Sequence, residues 1–546
     1  MKIILVNSIT LYKSVVILQH GLLSLGTILK AKGYDVEIAD FNHLARTGVI
    51  PDGSPGEMIR SFSVYISDKK ADVVGFNSIC AFYPQAILVA EMVKKQNPAV
   101  KIVFGGPQAS SCPVETLTAF NWIDMIAIGE SEQNIVDLIE ALTGRRSLDN
   151  VAGIAFRKEG RIVQNPQAGL ISDLDELPIP DYSLIPHMKS INLLSVEVGR
   201  GCPFSCRFCS TKTYWKKRFR LKSVARIVKE MDSLNEEFGF KHFFFLHDHF
   251  TVNKKTILSF CSYLKAGEKM YTWECYSRAD TLDKELIETM KNAGCTKISI
   301  GIETGSPRMQ HLIGKNLDLP SAWEIIKEIV RNNLKVKLSF IYALPEEEEQ
   351  DLKKTLDLIR RSVVLGVDEI SLFPFILLNG ADYYDKYKND LVQIEEYNSN
   401  IDERNGDETF RLIRNHPAVF PSFYRFPSVL FDKYRYLDVF VTYYSFLQRY
   451  FPFTFRALLE LFRLDLGALY LDFLRIDPRF GEILSETLRN DEEIEWSEVL
   501  SMQVSFLDHY IHKSNPQNEL EETFETEKTL LSRRRGIPGS KQEMQV

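Results

Sequence analysis

Three of the chain's eight cysteines, Cys202, Cys206 and Cys209, fall within eight residues at C-x3-C-x2-C spacing, directly after the apolar stretch Leu193–Val198. Three thiolates so placed can hold three irons of a cubane 4Fe–4S cluster. The fourth iron then lacks a protein ligand and is open to a small molecule, so the site suits chemistry as well as electron storage. The other cysteines stand singly at 80, 112, 261, 275 and 295 and read as small buried apolar residues.

Such a loop needs a scaffold, and the flanking sequence alternates short apolar runs with amphipathic stretches. Strands are expected at Leu193–Val198, Phe243–Leu246, Thr272–Tyr276, Lys297–Gly301, Val336–Tyr342 and Glu369–Phe373. Helical patterns at Ser223–Phe238, Lys255–Lys265, Asp283–Asn292, Ala322–Asn333 and Asp351–Leu365 separate them. Six strands with long crossovers predict an open (β/α)6 barrel over 188–390, with ligands at the carboxyl ends of its strands. The cysteines occupy the first such loop.

A second α/β unit precedes it. Ile3–Val6, Val36–Ala39, Val73–Phe76, Ile102–Phe104 and Met125–Ile128 read as parallel strands, with helices at Leu18–Lys30, Pro84–Lys95 and Glu132–Leu142. The pattern predicts a doubly wound domain over 1–150. Gly105-Gly106-Pro107 and Gly129-Glu130-Ser131-Glu132 follow two of its strands, where ligand loops or simple tight turns are expected. Residues 151–187 read as a connector containing a small hairpin around Gly160. From 391 to 512 the alternation gives way to a mainly helical domain, and 513–546 read as a polar, mobile tail.

The chain has 546 residues, of which 45% are hydrophobic and 25% charged, and a formal charge of -7. Nothing in this balance calls for nucleic acid. The basic run Lys212–Lys222 reads as a solvated helix approach beside the cysteine loop. The opening Met1–Asn7 reads as a strand without a signal-peptide pattern, and no apolar run reaches membrane-spanning length, so a cytoplasmic location is expected.

Taken together, these motifs resemble the radical S-adenosylmethionine (SAM) enzymes that carry an N-terminal cobalamin-binding domain, over residues 1–390. The resemblance implies that Cys202, Cys206 and Cys209 bind the cluster, while the amino and carboxylate groups of SAM chelate its open iron. Reduction would then cleave the sulfonium and generate a 5'-deoxyadenosyl radical. It also implies that Phe204 and Phe208 shield the loop and that Asp248, Arg278 and Glu303 contact SAM or substrate. His247 stands where relatives carry a first aspartate; His247 and His249 supply only two imidazoles, too few for a separate metal site. Ala343, after the fifth strand, replaces the family's usual glycine. In the N-terminal domain Asn7, Ser78, Gly105, Gly106, Pro107, Gly129 and Glu130 correspond to cobalamin-contacting positions. A D-x-H-x-x-G signature for an axial histidine is missing: His20 precedes Gly21 at the wrong spacing, and Gln108 follows the Gly-Gly-Pro turn.

The function implied is methylation of an unactivated carbon, with phosphorus the lesser alternative, using cobalamin as methyl carrier. Oxidation, cyclisation or rearrangement without methyl transfer shares the same initiation. A passive iron–sulfur sensor or cobalamin carrier is the non-enzymatic alternative, and the full barrel counts against it. A low-potential flavodoxin or ferredoxin is the expected electron donor. The substrate class stays open between small molecule, lipid and peptide. Tyr443, Tyr444, Phe446, Tyr450, Phe451, Phe453 and Phe455 would pack as helix core, line a hydrophobic chamber, or face a membrane surface peripherally.

Overall fold

The computed structural model describes residues 1–441 except 8, 10–17, 186, 192–193, 268, 394–405 and 436, together with 459, 466–467, 470–471, 475 and 524–527. The aromatic residues singled out between 443 and 455 lie outside the described residues, as does the expected tail apart from 524–527, a helical stretch in which Phe524 and Glu527 are buried.

The N-terminal sheet contains β1 (Lys2–Val6), β2 (Asp35–Ala39), β3 (Val73–Asn77), β4 (Lys101–Gly105), β5 (Met125–Ala127), β6 (Ile154–Lys158) and β7 (Arg161–Gln164), in spatial order β2-β1-β3-β4-β5-β6-β7. The first five strands are parallel. Their near-continuous apolar runs follow from burial on both faces. Ile3, Leu5, Val73 and Val103 pack with Leu22, Leu29 and Leu138, on helices His20–Ala31 and Ile135–Leu142. Ile4, Val6, Val74 and Phe104 face the opposite way, onto helices Pro55–Asp68 and Tyr83–Gln96. The first of those two helices was not among the sequence expectations.

The hairpin read as part of a connector belongs to this sheet instead. β6 pairs antiparallel with β5, and β7 with β6. Ile154, Ala155 and Phe156 are buried, so the hairpin covers an apolar edge that would otherwise be open.

The central sheet begins with β8 (Leu194–Glu197), followed by the short antiparallel pair β9 (Gly199–Arg200) and β10 (Arg220–Leu221). It continues with β11 (His242–Leu246), β12 (Thr272–Ser277), β13 (Cys295–Glu303), β14 (Lys335–Tyr342) and β15 (Glu369–Pro374). β8 and β11 to β15 form six parallel strands in strict chain order, each pairing with the one before it. Helices Val224–Phe238, Lys254–Ala266, Lys284–Asn292, Leu319–Arg331 and Glu349–Leu365 connect them. Side chains of Ser223, Asn253, Asp283 and Asp318 each accept a backbone N–H at a helix start. Where described, the C-terminal part holds helices at Gly406–Asn415 and Val429–Lys433 and a short antiparallel pair, Val392–Gln393 with Tyr424–Arg425. Among the described residues no helix is long and apolar enough to cross a membrane.

The run Lys212–Lys222 is a solvated approach only in its middle, where Lys216, Lys217 and Arg218 are exposed. Its helix is only Thr211–Tyr214, and the chain then turns back as β10. Arg220 and Lys222 are drawn inward by carboxylates, pairing with Glu130 at 2.7 Å and Glu230 at 2.9 Å.

Candidate functional site

The cysteine loop leaves the carboxyl side of β8 through Gly201, whose φ of +87° belongs to the left-handed region. A side chain there would collide with the Arg218 carbonyl, so the close approach of β10 requires glycine. Backbone bonds anchor the loop: Arg207 N–H donates to Ile313 O at 2.8 Å, and Arg207 O accepts from Tyr383 N–H at 3.1 Å. Burial pushes the Cys202 thiol up to about 11 and the Cys209 thiol upward, each also feeling the neighbouring cysteines. Metal binding would therefore displace thiol protons. Among the described residues no three His, Cys, Asp or Glu side chains converge tightly enough for a single metal ion. Three neighbouring thiols on one loop are a donor set for a cluster, whose irons take one protein ligand each.

Charge surrounds this loop. The Arg278 guanidinium lies 3.7 Å from the Phe204 ring centroid and 3.8 Å from Cys206 Sγ. It is forked onto Asp280 at 2.9 and 2.7 Å and donates to Lys315 O at 3.0 Å. Lys315 Nζ in turn meets Glu303 Oε1 at 2.7 Å. Arg278 and Glu303 thus belong to one charged chain beside the cluster loop. Lys315 was missed by the sequence reading; its only local mark is a lysine directly after Gly314. Phe208 points elsewhere, packing on the cluster of Met309, Ile313 and Leu344. Glu303 and Ala343 have φ of +69° and +57°, so both adjacent strands end in left-handed residues that are not glycine.

Asp248 secures the entry to the loop. Its carboxylate, raised by burial, accepts the Gly201 N–H at 3.1 Å and the Trp215 indole N–H. His247 Nδ1 accepts the His249 N–H at 3.1 Å. Burial lowers His247 to about 4 and His249 to about 3, so both are neutral at pH 7.

A cavity of about 1100 Å³ lies between the two sheets. Its N-terminal wall is Gly75, Asn77, Gly105, Gly106, Pro107, Gly129 and Glu130, backed by an apolar slot between Leu22, Leu25, Leu29, Leu138 and Ile139. Its other wall is Arg200, Tyr214, Trp215, Leu246, Asp248, Tyr276 and Lys297. Gly106, at φ +93°, approaches the β3 loop so closely that a Cβ would sit 2.5 Å from Asn77 Oδ1. The Gly129 turn is the opposite case, with nothing within 4 Å of the Cβ position. A slot lined by leucines beside bare backbone turns fits a bulky ligand with a flat apolar appendage, and cobalamin has that form.

Asn7 and Ser78 stand behind this wall. Asn7 donates to Asp40 at 3.1 Å, while Ser78 donates to Gly105 O at 2.7 Å and accepts from Ala109 N–H at 2.8 Å. Gln108 turns away, donating to Asn379 and Val419 O at 2.9 Å each. His20 bonds across the seam to Ser195 Oγ at 2.9 Å, and burial lowers it to about 4.

Glu130 serves the seam between the sheets. It pairs with Arg200 at 2.8 Å and Arg220 at 2.7 Å and accepts the Ile171 N–H at 2.8 Å. Arg200 also holds Glu132 at 2.6 Å and Glu197 at 2.9 Å. Burial would raise Glu197, but the Arg200 and Lys222 charges hold it down at about 2. Removing one member would strand buried charge, at a cost of about 3–5 kcal/mol. Arg200 carried no sequence signal, because Glu130 and Glu132, two of its three carboxylate partners, lie far away along the chain.

Two family models match the two halves of this arrangement: the B12 binding domain over residues 16–139 and the Radical SAM superfamily over residues 196–359. An uncharacterized methyltransferase of Pyrococcus horikoshii is 32% identical over 294 residues, covering 53% of this chain and 64% of the relative. The anaerobic magnesium-protoporphyrin IX monomethyl ester cyclase of Rubrivivax gelatinosus is 27% identical over 345 residues, covering 61% of this chain and 60% of the relative. The matched stretch therefore spans less than two thirds of either curated relative. The solved structure of OxsB, a cobalamin-dependent S-adenosylmethionine radical enzyme with aqua-cobalamin and S-adenosylmethionine bound, shares the fold. Its TM-score is 0.60 at 16% identity, covering 97% of this chain and 83% of that one.

Proposed function

We propose that this protein, a radical SAM enzyme of the cobalamin-binding class, methylates an unactivated carbon of a substrate held between its two sheets. The observation that carries the reading is the shared cavity, which joins the Gly105–Pro107 and Gly129 turns to the strand faces at Leu246 and Tyr276. When bound, the cluster with SAM would supply a carbon-centred radical, and cobalamin would supply a methyl group.

The chain's own residues hold and separate these groups. Cys202, Cys206 and Cys209 are the cluster ligands in this reading. Arg278, fixed in a planar fork by Asp280, would hold the SAM carboxylate, and Glu303 with Lys315 would hold its ammonium or ribose hydroxyls. Gly105, Gly106, Pro107 and Gly129 give cobalamin bare backbone to lie against, and the leucine slot takes its nucleotide base. The buried Arg200 clasp fixes one wall against the other, which a short radical path through a water-poor space requires. In this reading the central sheet works as an open (β/α)6 barrel, and an electron enters from a low-potential flavodoxin or ferredoxin in the cytoplasm.

The cyclase relative supports a second reading, radical chemistry without methyl transfer. One experiment separates the two without knowing the substrate. Protein reconstituted anaerobically with iron, sulfide and hydroxocobalamin is reduced with SAM, and its products are quantified. Methyl transfer predicts near-equimolar cobalamin retained through gel filtration and about one S-adenosylhomocysteine per cobalamin. Retained cobalamin with 5'-deoxyadenosine but no S-adenosylhomocysteine would replace methylation by the second reading.

A further inference from the structure

Five and six residues past Cys209, Tyr214 and Trp215 stand where the two walls of the cavity meet. The Tyr214 hydroxyl donates to Gly129 O at 3.2 Å and shares a hydrogen bond with Ser110. Ser110 Oγ accepts the Gly129 N–H at 3.0 Å. The Gly129 turn, which has open space on its Cα side, is thus held by groups tied to one phenol. Trp215 works toward the cysteines. Its indole N–H bonds the Asp248 carboxylate, which also holds the Gly201 N–H, and its Cβ would stand 3.0 Å from a Cβ on Gly201. The two rings meet edge to face at 4.6 Å. Arg220 covers Trp215 at 5.3 Å and carries the contact on to Glu130.

We infer that Tyr214 and Trp215 are positioning residues that couple the two halves of the cavity. A ligand seated on the Gly129 turn stiffens the cysteine loop, and a cluster on that loop stiffens the turn. The inference rests on the cavity being a cobalamin site. Its physical basis is a shared wall: the first ligand to bind meets the cost of ordering Tyr214 and Trp215, and the second meets a wall already ordered. Such coupling is reciprocal by thermodynamic necessity.

Hydroxocobalamin is the probe. One readout is the rate of iron release to a chelator from the reconstituted cluster, with and without hydroxocobalamin. The other is the dissociation constant of hydroxocobalamin for protein with and without cluster. Wild type is expected to release iron about fivefold more slowly with hydroxocobalamin, and, since the coupling in binding free energy is reciprocal, to bind hydroxocobalamin several-fold tighter when the cluster is present. In Tyr214→Phe, which removes only the hydroxyl, and Trp215→Phe, which keeps an aromatic ring but removes the indole N–H, both factors should fall close to one while both cofactors are still retained. Undiminished protection in both variants, or protection without a gain in affinity, would mean that cobalamin merely covers the cluster and would overturn the inference. Failure of wild type to retain hydroxocobalamin at all would instead remove the cobalamin-site reading, and the inference with it.

Discussion

At the carboxyl ends of β3, β4 and β5 much of the cavity wall is bare backbone, at Gly105, Gly106 and Gly129, between the side chains of Asn77, Pro107 and Glu130. At and just past the ends of β11, β12 and β13 stand Asp248, Arg278 and Glu303; Asp248 lines the cavity, and the charged chain of Arg278 and Glu303 lies beside the cysteine loop. The contrast follows from what each wall would grip. A large ligand is held over a wide area, and shape does most of the work, so side chains there are obstacles. A small ligand carrying ammonium, carboxylate and hydroxyl groups needs opposite charges at fixed points. Those charges can also pair with each other beforehand, as Arg278 does with Asp280 and Lys315 with Glu303. The glycine wall has no such internal substitute.

The comparison breaks most sharply at the charged side. Cys206→Ala is expected to abolish cluster absorbance and reductive SAM cleavage altogether, yet leave hydroxocobalamin bound apart from the coupling factor. Loss of both cofactors together would mean that the two walls do not fold independently. The mirror experiment is Gly106→Ala, which puts a Cβ 2.5 Å from Asn77 Oδ1 at a left-handed residue. With ψ at −180°, Gly106 occupies backbone open essentially to glycine alone, where a side chain costs about 1–3 kcal/mol; the turn must shift to relieve strain and clash, and hydroxocobalamin affinity should fall at least about tenfold. Cluster content, measured by iron and sulfide, should hold.

The smallest effect concerns pH. His20 on the N-terminal side and His247 and His249 on the central side are kept neutral by burial, at about 4, 4 and 3. Unfolded histidine titrates near 6.5, so below that pH the unfolded chain binds more protons and stability falls as pH falls. Each histidine costs about 2 kcal/mol between pH 7 and pH 5. Glu347, pushed by burial to about 8, acts in the opposite sense, since its folded form keeps a proton that the unfolded form has released. A net loss of roughly 3 kcal/mol is expected, read as a lower denaturant midpoint at pH 5.

Much of this was legible in the sequence because it is local. Cysteine spacing and apolar runs depend on near neighbours, and strands such as Ile3–Val6 and Phe243–Leu246 coincide with β1 and β11 to within a residue. Ala343 is instructive in another way: its departure from the family glycine is visible in sequence, but only the φ of +57° shows what the position demands. Arg200 was invisible, since Glu130 and Glu132 lie about seventy residues away along the chain. For the same reason Arg220, whose partner Glu130 is ninety residues away, looked like solvated charge. Periodicity shows which face of an element is apolar, and it carries no information on which carboxylate will meet a given cation.

The strict chain order of the central sheet bears on how the site is made during synthesis. Each new strand finds its partner in the strand completed just before it, so the sheet can grow in the direction of translation without waiting for distant segments. The cysteine loop follows the first strand, whereas Arg278 and Lys315 emerge some seventy and one hundred residues later. A nascent chain therefore displays its three thiols before the charges that will enclose them exist.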